Sequence, residues 1–144
     1  MVKPEDLLAY AVKLLTSAAA DLDYRNVIER AYYGAYHAAL QFEEQLPYRS
    51  SASPQKAGTH EALIQRLERP DGRLDYGLRV ISQDVGAQMR MLKPVREIAS
   101  YELQVTVRVD QAEEAIRSAK DIIDECAKGR IKLKAAGTRP PPKS

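Results

Sequence analysis

The sequence predicts an all-α protein, an up-and-down bundle of four to five helices. Three observations predict this fold. Apolar residues recur every three or four positions along four long stretches, which is the period of a helix that packs on one side. The 144 residues are 44% hydrophobic and 29% charged, as in an ordinary globular domain. The only segment with strand-like alternation, residues 104–109, has no second strand to pair with, so we interpret it as an extended connection.

The first two helices are expected to form an antiparallel hairpin, because only a short link joins them. Pro4 suits the first turn of a helix over residues 4–20. The second helix, residues 23–46, organises the rest of the chain. Its buried stripe consists mostly of small residues, so a neighbouring helix can approach closely: Ile28, Ala31, Ala35, Ala38 and Phe42.

Proline residues set the boundaries of the next elements. Pro47 ends the second helix and opens a polar loop over residues 47–58. A short helix follows over residues 60–69. The next helical stretch runs from about residue 75 to residue 103, and Pro94 is expected to kink it or split it in two.

The last helix is predicted over residues 110–127, with a capping-box pattern at its start and Gly129 as its C-terminal stop. The charge of the chain changes beyond it. Residues 128–144 contain six basic and no acidic side chains, although the formal net charge of the whole chain is only +2. We therefore divide the chain into a helical bundle, residues 1–127, and a basic, flexible tail, residues 128–144.

Composition and motifs exclude several classes of protein. Cys126 is the only cysteine, which excludes an internal disulfide and a cysteine-based zinc site. No run approaches the ~20 apolar residues of a membrane span, and no signal-peptide pattern is present, so we expect a cytoplasmic protein without a membrane partner. His37 and His60 lack flanking acids at a metal spacing, and no HExxH, glycine-rich phosphate loop or GxSxG motif occurs. We expect no metal site and no cofactor.

Arg30 and His37 are the first candidate catalytic pair. They are seven residues apart on one predicted helix, about two turns, so they point the same way. Histidine exchanges a proton near neutral pH and arginine binds phosphate, so the pair could cleave RNA without a metal. In the alternative interpretation, His37 hydrogen-bonds inside the bundle and Arg30 pairs with Glu29 or another acid.

Arg96 and Tyr101 are the second candidate catalytic pair. They lie five residues apart in the segment REIASYEL, just beyond the expected kink. A tyrosine hydroxyl donates or accepts a hydrogen bond, but its free pKa near ~10 makes it a poor base at neutral pH. In the alternative interpretation, the Tyr101 hydroxyl anchors two helices, and Arg96 is solvated or pairs with Glu97 or Glu102.

Three further residues are candidates for contact with nucleic acid. Tyr33 lies between Arg30 and His37, and Lys132 and Lys134 belong to the basic tail. A basic tail can bind a phosphate backbone with release of counterions, although such a tail is also a common solvated chain end. We interpret His60 as a surface or helix-start residue.

These motifs resemble those of the HEPN family, in its small prokaryotic members. The segment RAYYGAYHAA, residues 30–39, is close to the R-x-YY-x-x-x-HAA signature of that group. REIASYEL is like the family segment R-x-x-A-D-Y, and the chain also has the ending EEAIRSAKDII and a Thr59-His60 pair at a helix start. The resemblance covers roughly residues 5–127.

The resemblance implies a HEPN bundle of four to five helices, often a dimer. Many HEPN proteins are toxins or defence effectors that cut RNA without metal, through an Arg-x(4–6)-His motif often assembled across a dimer interface. Many pair with a small nucleotidyltransferase that acts as antitoxin. Others are inactive binding or accessory modules.

The chain departs from the ribonuclease members in one respect. Their motif usually lies in the later helix as R-N-x-x-x-H, and here Arg96 and Tyr101 occupy that place without an imidazole. Two hypotheses follow. In the first, the chain is a binding, accessory or toxin-type protein that acts with a partner such as a nucleotidyltransferase antitoxin. In the second, it is a metal-independent endoribonuclease that uses Arg30 and His37, helped by Tyr33 or by Arg96 and Tyr101. Both predict a homodimer, with RNA as a possible ligand.

Overall fold

The computed structural model describes residues 1–52 and 57–136, which contain five α-helices and no strand. In chain order they are α1 (Pro4–Ser17), α2 (Asp21–Glu44), α3 (Thr59–Glu68), α4 (Tyr76–Tyr101) and α5 (Val109–Ala136). The predicted all-α bundle is confirmed. Helix α2 packs against α1, α4 and α5, and the short α3 lies mainly against α4. None of the helices in the described ranges is both long and apolar enough to cross a bilayer.

Helix α2 lies at the centre of the core, as its stripe of small residues predicts. All five stripe residues are at most 1% exposed. The same face of α2 allows α1 to approach closely, because a Cβ atom at Gly34 would lie 3.0 Å from the carbonyl oxygen of Pro4. The hairpin of α1 and α2 is therefore held together by close backbone approach as well as by apolar burial.

Helix α5 is longer than the sequence predicts, and the predicted end at residue 127 is wrong. Gly129 lies inside the helix, where the Phe42 ring fills the space that a side chain would take. Arg130 forms an ion pair with Glu5 at 3.3 Å, which ties this part of α5 to α1. Residues 128–136 of the predicted tail thus belong to α5, and residues 137–144 lie outside the described part of the chain.

Helix α4 runs as one helix from Tyr76 to Tyr101, so Pro94 does not split it. The side chain of Asp75 caps its start by accepting hydrogen bonds from the backbone N–H groups of Gly77 and Leu78. The segment between α4 and α5, residues 102–108, is a connection without a strand, as predicted, and residue 109 already begins α5. The predicted polar loop between α2 and α3 falls partly on residues 53–56, outside the described ranges.

Arg25 of α2 holds the C-terminal end of α4 in place. Its side chain is buried, forms an ion pair with Asp21, and donates hydrogen bonds to backbone carbonyl groups at the end of α4 and in the connection that follows. The distances are 3.0 Å to Ala99 and 3.2 Å to Glu102. The Ala99 carbonyl is among the last four of α4, which have no partner within the helix, so Arg25 supplies a hydrogen bond that this helix end lacks. Arg96 and Tyr101 are thereby positioned beside α2.

Candidate functional site

Seven aromatic, histidine and arginine side chains meet where α2, α3 and α4 come together. We name this group the aromatic cluster: Tyr32, Tyr33, Tyr36, His37, His60, Arg96 and Tyr101. The middle of α2 supplies four of them, the start of α3 supplies one, and the C-terminal half of α4 supplies two. Residues four apart in a helix share a face, which explains why Tyr32 and Tyr36 both reach α3.

Tyr32 and His60 form the inner part of the aromatic cluster. Tyr32 is fully buried, and its hydroxyl oxygen lies 2.6 Å from Nδ1 of His60. The Tyr36 ring stacks on the His60 imidazole. Their ring centroids are 4.2 Å apart and their planes are 9° from parallel. Stacking and the hydrogen bond together fix the orientation of the imidazole.

Two titrating groups of this inner pair have shifted pKa values. Burial raises the pKa of the Tyr32 hydroxyl well above its usual value, so it stays protonated at neutral pH. Burial lowers the pKa of His60 below 6.5, and the positive charges of Arg96 and Lys93 lower it further. Glu97 opposes this shift only weakly. His60 is therefore neutral at pH 7.

Arg96 is the cation of the aromatic cluster. Its Cζ atom lies 5.6 Å from the ring centroids of both Tyr32 and Tyr101, and 6.0 Å from that of Tyr33. Its Nε atom is sealed from solvent and has no hydrogen-bond partner in the described residues. The nearest acid on α4, Glu97, pairs with Lys93 at 3.0 Å instead. Within the described ranges the guanidinium forms no ion pair, so its charge lies unpaired between aromatic faces.

The structure brings four of the predicted site residues together and leaves three out, which are Arg30, Lys132 and Lys134. Tyr33, His37, Arg96 and Tyr101 all belong to the aromatic cluster. His37 is exposed, and its ring lies 6.2 Å from that of Tyr33 and 5.3 Å from that of Tyr36. Arg30 is exposed and makes no ring contact or ion pair within the described part of the chain. Tyr101 stacks against Arg96 and is exposed, so it does not anchor two helices.

The two predicted lysine contacts lie at the other end of the bundle. Lys132 is 3.7 Å from Asp75, the residue that caps the start of α4. Arg96 follows 21 residues later in the same helix, so the separation is about 30 Å at a rise of about 1.5 Å per residue. Lys132 and Lys134 therefore do not share a site with Tyr33.

Three residues of the aromatic cluster were not candidates in the sequence: Tyr32, Tyr36 and His60. His60 lies at the start of α3, as expected, but it is half-buried against α2. The i, i+4 spacing of Tyr32 and Tyr36 is the signal that could have marked a second aromatic face. No spacing rule predicts that His60 joins the cluster, because its contact with Tyr32 links two different helices that are 28 residues apart in the sequence.

The arrangement combines groups that suit a nucleic-acid ligand. Tyrosine faces stack on bases, a free guanidinium binds phosphate oxygens, and two imidazoles can exchange protons. Among the described residues, no group of three or more His, Cys, Asp or Glu side chains is placed to hold a metal ion. Comparison of the chain with protein-family models, curated proteins and solved structures found no match.

Proposed function

We propose that this chain is a HEPN-like binding protein that holds single-stranded RNA on its aromatic cluster. The observation that carries the proposal is the state of Arg96. Among the described residues, this guanidinium has three aromatic neighbours, no acidic partner and no hydrogen-bond partner for its Nε atom, so it lacks the interactions that such a group normally makes. The Arg96 side chain as a whole is only half-buried, so a phosphate group that reaches its open part supplies the missing negative charge.

The tyrosines around Arg96 support RNA rather than an isolated phosphate as the ligand. Tyr101 is exposed and Tyr33 is half-buried, so each has ring surface open to a base. Stacking of a base on an aromatic side chain is worth about 1–3 kcal/mol and tolerates any base. Single strands expose their bases, whereas a duplex hides them, so we expect single-stranded RNA to bind more tightly than double-stranded RNA.

Fluorescence anisotropy with a labelled single-stranded RNA, repeated over a salt series, tests the proposal. We expect Arg96→Gln to weaken binding about tenfold or more and to reduce the salt slope by about 0.7, the value for one phosphate contact to a single strand. The matched control is Arg117→Gln, which removes an exposed arginine of α5 that pairs with Glu114. If Arg96→Gln binds as the control does, or the wild type does not bind at low salt, the proposal is wrong.

Metal-independent cleavage of RNA is the second candidate function. It is favoured by the position of two imidazoles, since His37 and His60 both contact the Tyr36 ring close to Arg96. One imidazole could take the proton of a 2′-hydroxyl as its oxygen attacks the phosphorus, while the bond to the 5′-oxygen breaks and that oxygen takes a proton from water. Arg96 would stabilise the charge on the phosphate. Incubation of RNA with the protein in EDTA tests this. Loss of cleavage in His37→Ala and Arg96→Ala supports the assignment, and unchanged cleavage contradicts it.

A homodimer is part of the proposal. Exposed apolar side chains surround the α4–α5 connection, where Arg25 holds it beside the start of α2: Leu22, Leu103, Val105 and Val109. Exposed apolar groups in one region are typical of protein interfaces. Light scattering on the purified chain measures its mass, and Leu103→Glu is expected to give monomers. The nucleotidyltransferase partner implied by the family resemblance stays a prediction, which co-purification with neighbouring gene products tests.

A further inference from the structure

The hydrogen bond between Tyr32 and His60 has only one direction that satisfies both groups. Tyr32 is fully buried, and His60 Nδ1 is the only hydrogen-bond partner of its hydroxyl in the described residues. A hydroxyl proton that lacks an acceptor is unfavourable in the interior, so this proton must point at Nδ1. An Nδ1 atom that accepts a hydrogen bond carries no proton. In a neutral imidazole the single proton is then on Nε2.

The surroundings hold this arrangement in place. The Tyr36 ring stacks on His60, which fixes the plane of the imidazole and therefore the direction of its Nε2–H bond. Nε2 makes no hydrogen bond to any described residue, and the side chain is only half-buried. The ring therefore has one nitrogen occupied by the protein and one nitrogen free for a ligand.

We infer that Tyr32 is a positioning residue that holds His60 as the Nε2–H tautomer, so that His60 presents a hydrogen-bond donor to RNA. This role of His60 rests on the proposed RNA-binding function. A phosphate oxygen or a base carbonyl can accept from Nε2–H, and Arg96 lies on the same buried tyrosine. The inner imidazole is then a binding group and not a base. In the cleavage candidate, the base is the exposed His37.

Nuclear magnetic resonance on the full chain tests the tautomer without any ligand. Long-range correlation of imidazole protons and nitrogens at pH 7.5 identifies which nitrogen of His60 carries the proton. We expect the Nε2–H form alone in the wild type and a mixture of both tautomers in Tyr32→Phe, which keeps the ring. A dominant Nδ1–H form in the wild type, or an unchanged single tautomer in Tyr32→Phe, overturns the inference.

Two substitutions of His60 test the donor role by RNA affinity. His60→Gln places an amide N–H near the position of Nε2, whereas His60→Asn supplies no donor there. We expect His60→Asn to weaken binding about tenfold and His60→Gln to retain most of it, since one hydrogen bond to a charged group accounts for about that factor. Equal losses in both variants overturn the donor role. If the wild type binds no RNA, the proposed function fails, and the tautomer experiment still decides the part played by Tyr32.

Discussion

The ring of Phe42 in α2 lies against the backbone of Gly129 in α5, in the space that a side chain at residue 129 would occupy. A Cβ atom at Gly129 would come within 2.7 Å of the Phe42 Cδ1 atom. Phe42 is fully buried, so its ring has little room to move. This contact explains why a glycine lies in the middle of a helix instead of at its end.

Gly129→Ala is expected to destabilise the protein, although alanine is the better helix former by about 1 kcal/mol. Displacement of the Phe42 ring outweighs that gain, and overpacking of this kind lowers the free energy of unfolding by about 1–3 kcal/mol. Urea denaturation measures the change. Gly72→Ala is the control, because a Cβ there would meet no atom beyond its chain neighbours within 4 Å and so displaces no side chain of the described residues. Equal stability of both variants contradicts the packing argument.

Glu43 is expected to be essential for joining α2 to α3. Its carboxylate is almost fully buried and accepts hydrogen bonds from Arg49 at 2.6 Å and from Arg66 at 2.8 Å. These arginines hold the pKa of Glu43 below its usual value despite burial. Glu43→Gln leaves two guanidinium groups without their carboxylate, so we expect a loss of about 3 kcal/mol in the free energy of unfolding.

The exposed neighbour Glu44 provides the control for that experiment, because Glu44→Gln removes a charge in the same turn with no ion pair in the described residues. We expect its effect to stay below about 0.5 kcal/mol.

The stability that Glu43 supplies should also fall in acid. Its pKa is lower in the folded state, so this stability is present above pH 4.5 and disappears as the carboxylate is protonated below that value. If Glu43→Gln loses stability below pH 4.5 to the same extent as the wild type, Glu43 is not the source of this pH dependence.

His60 should make stability depend on pH in a different range. Its folded-state pKa is lowered below 6.5 by burial, by Arg96 and Lys93, and slightly by His37. A proton therefore binds the unfolded chain more tightly, and the stability due to neutral His60 is lost as the pH falls below 6.5. We expect the free energy of unfolding to decrease between pH 7.5 and pH 5.5 in the wild type and less so in His60→Gln.

His37→Gln is the comparison for the pH experiment, since His37 is exposed at the edge of the same cluster. We expect this variant to retain the pH dependence of the wild type. Two results would contradict this role of His60. One is a wild type whose free energy of unfolding does not change between pH 7.5 and pH 5.5, and the other is a pH dependence that both substitutions remove equally.

Tyr33 should contribute to RNA affinity through its ring alone. We expect Tyr33→Ala to weaken binding of single-stranded RNA about five- to a hundredfold, which corresponds to about 1–3 kcal/mol for one stacked base. Tyr33→Phe should bind nearly as the wild type does. Tyr10→Ala removes an exposed tyrosine of α1 and should have no effect. Anisotropy at a single salt concentration compares the three, and equal affinity of Tyr33→Ala and Tyr10→Ala contradicts a stacking role.

The helices of this protein were predictable because each follows from local rules. The stripe from Ile28 to Phe42 repeats with the period of a helix, and all its members are buried. The starts of the five helices agree with prediction within two residues. The end of α5 was predicted wrongly because glycine commonly ends a helix, whereas Gly129 serves a contact with a ring 87 positions earlier.

The candidate site was predictable only in part. Arg96 and Tyr101 are close in sequence and meet as expected. Arg30 and His37 share a helix and lie on similar faces of it, yet only His37 joins the cluster, because Arg30 lies two turns, about 10 Å, nearer the N-terminus of α2. His60 could not be assigned, since its partner Tyr32 lies 28 residues away and their contact depends on how α3 docks.

The amino-acid sequence by itself determined that the chain is helical and which face of α2 is buried, because hydrophobic periodicity acts over a few residues. Only the tertiary structure decided which side chains form the aromatic cluster. Helix docking brings residues together at distances that no local period encodes, and the hydrogen-bond partner of a buried hydroxyl depends on that docking. The position of the Arg96 guanidinium between aromatic rings and the orientation of the His60 imidazole are both products of how α3 and α4 pack on α2.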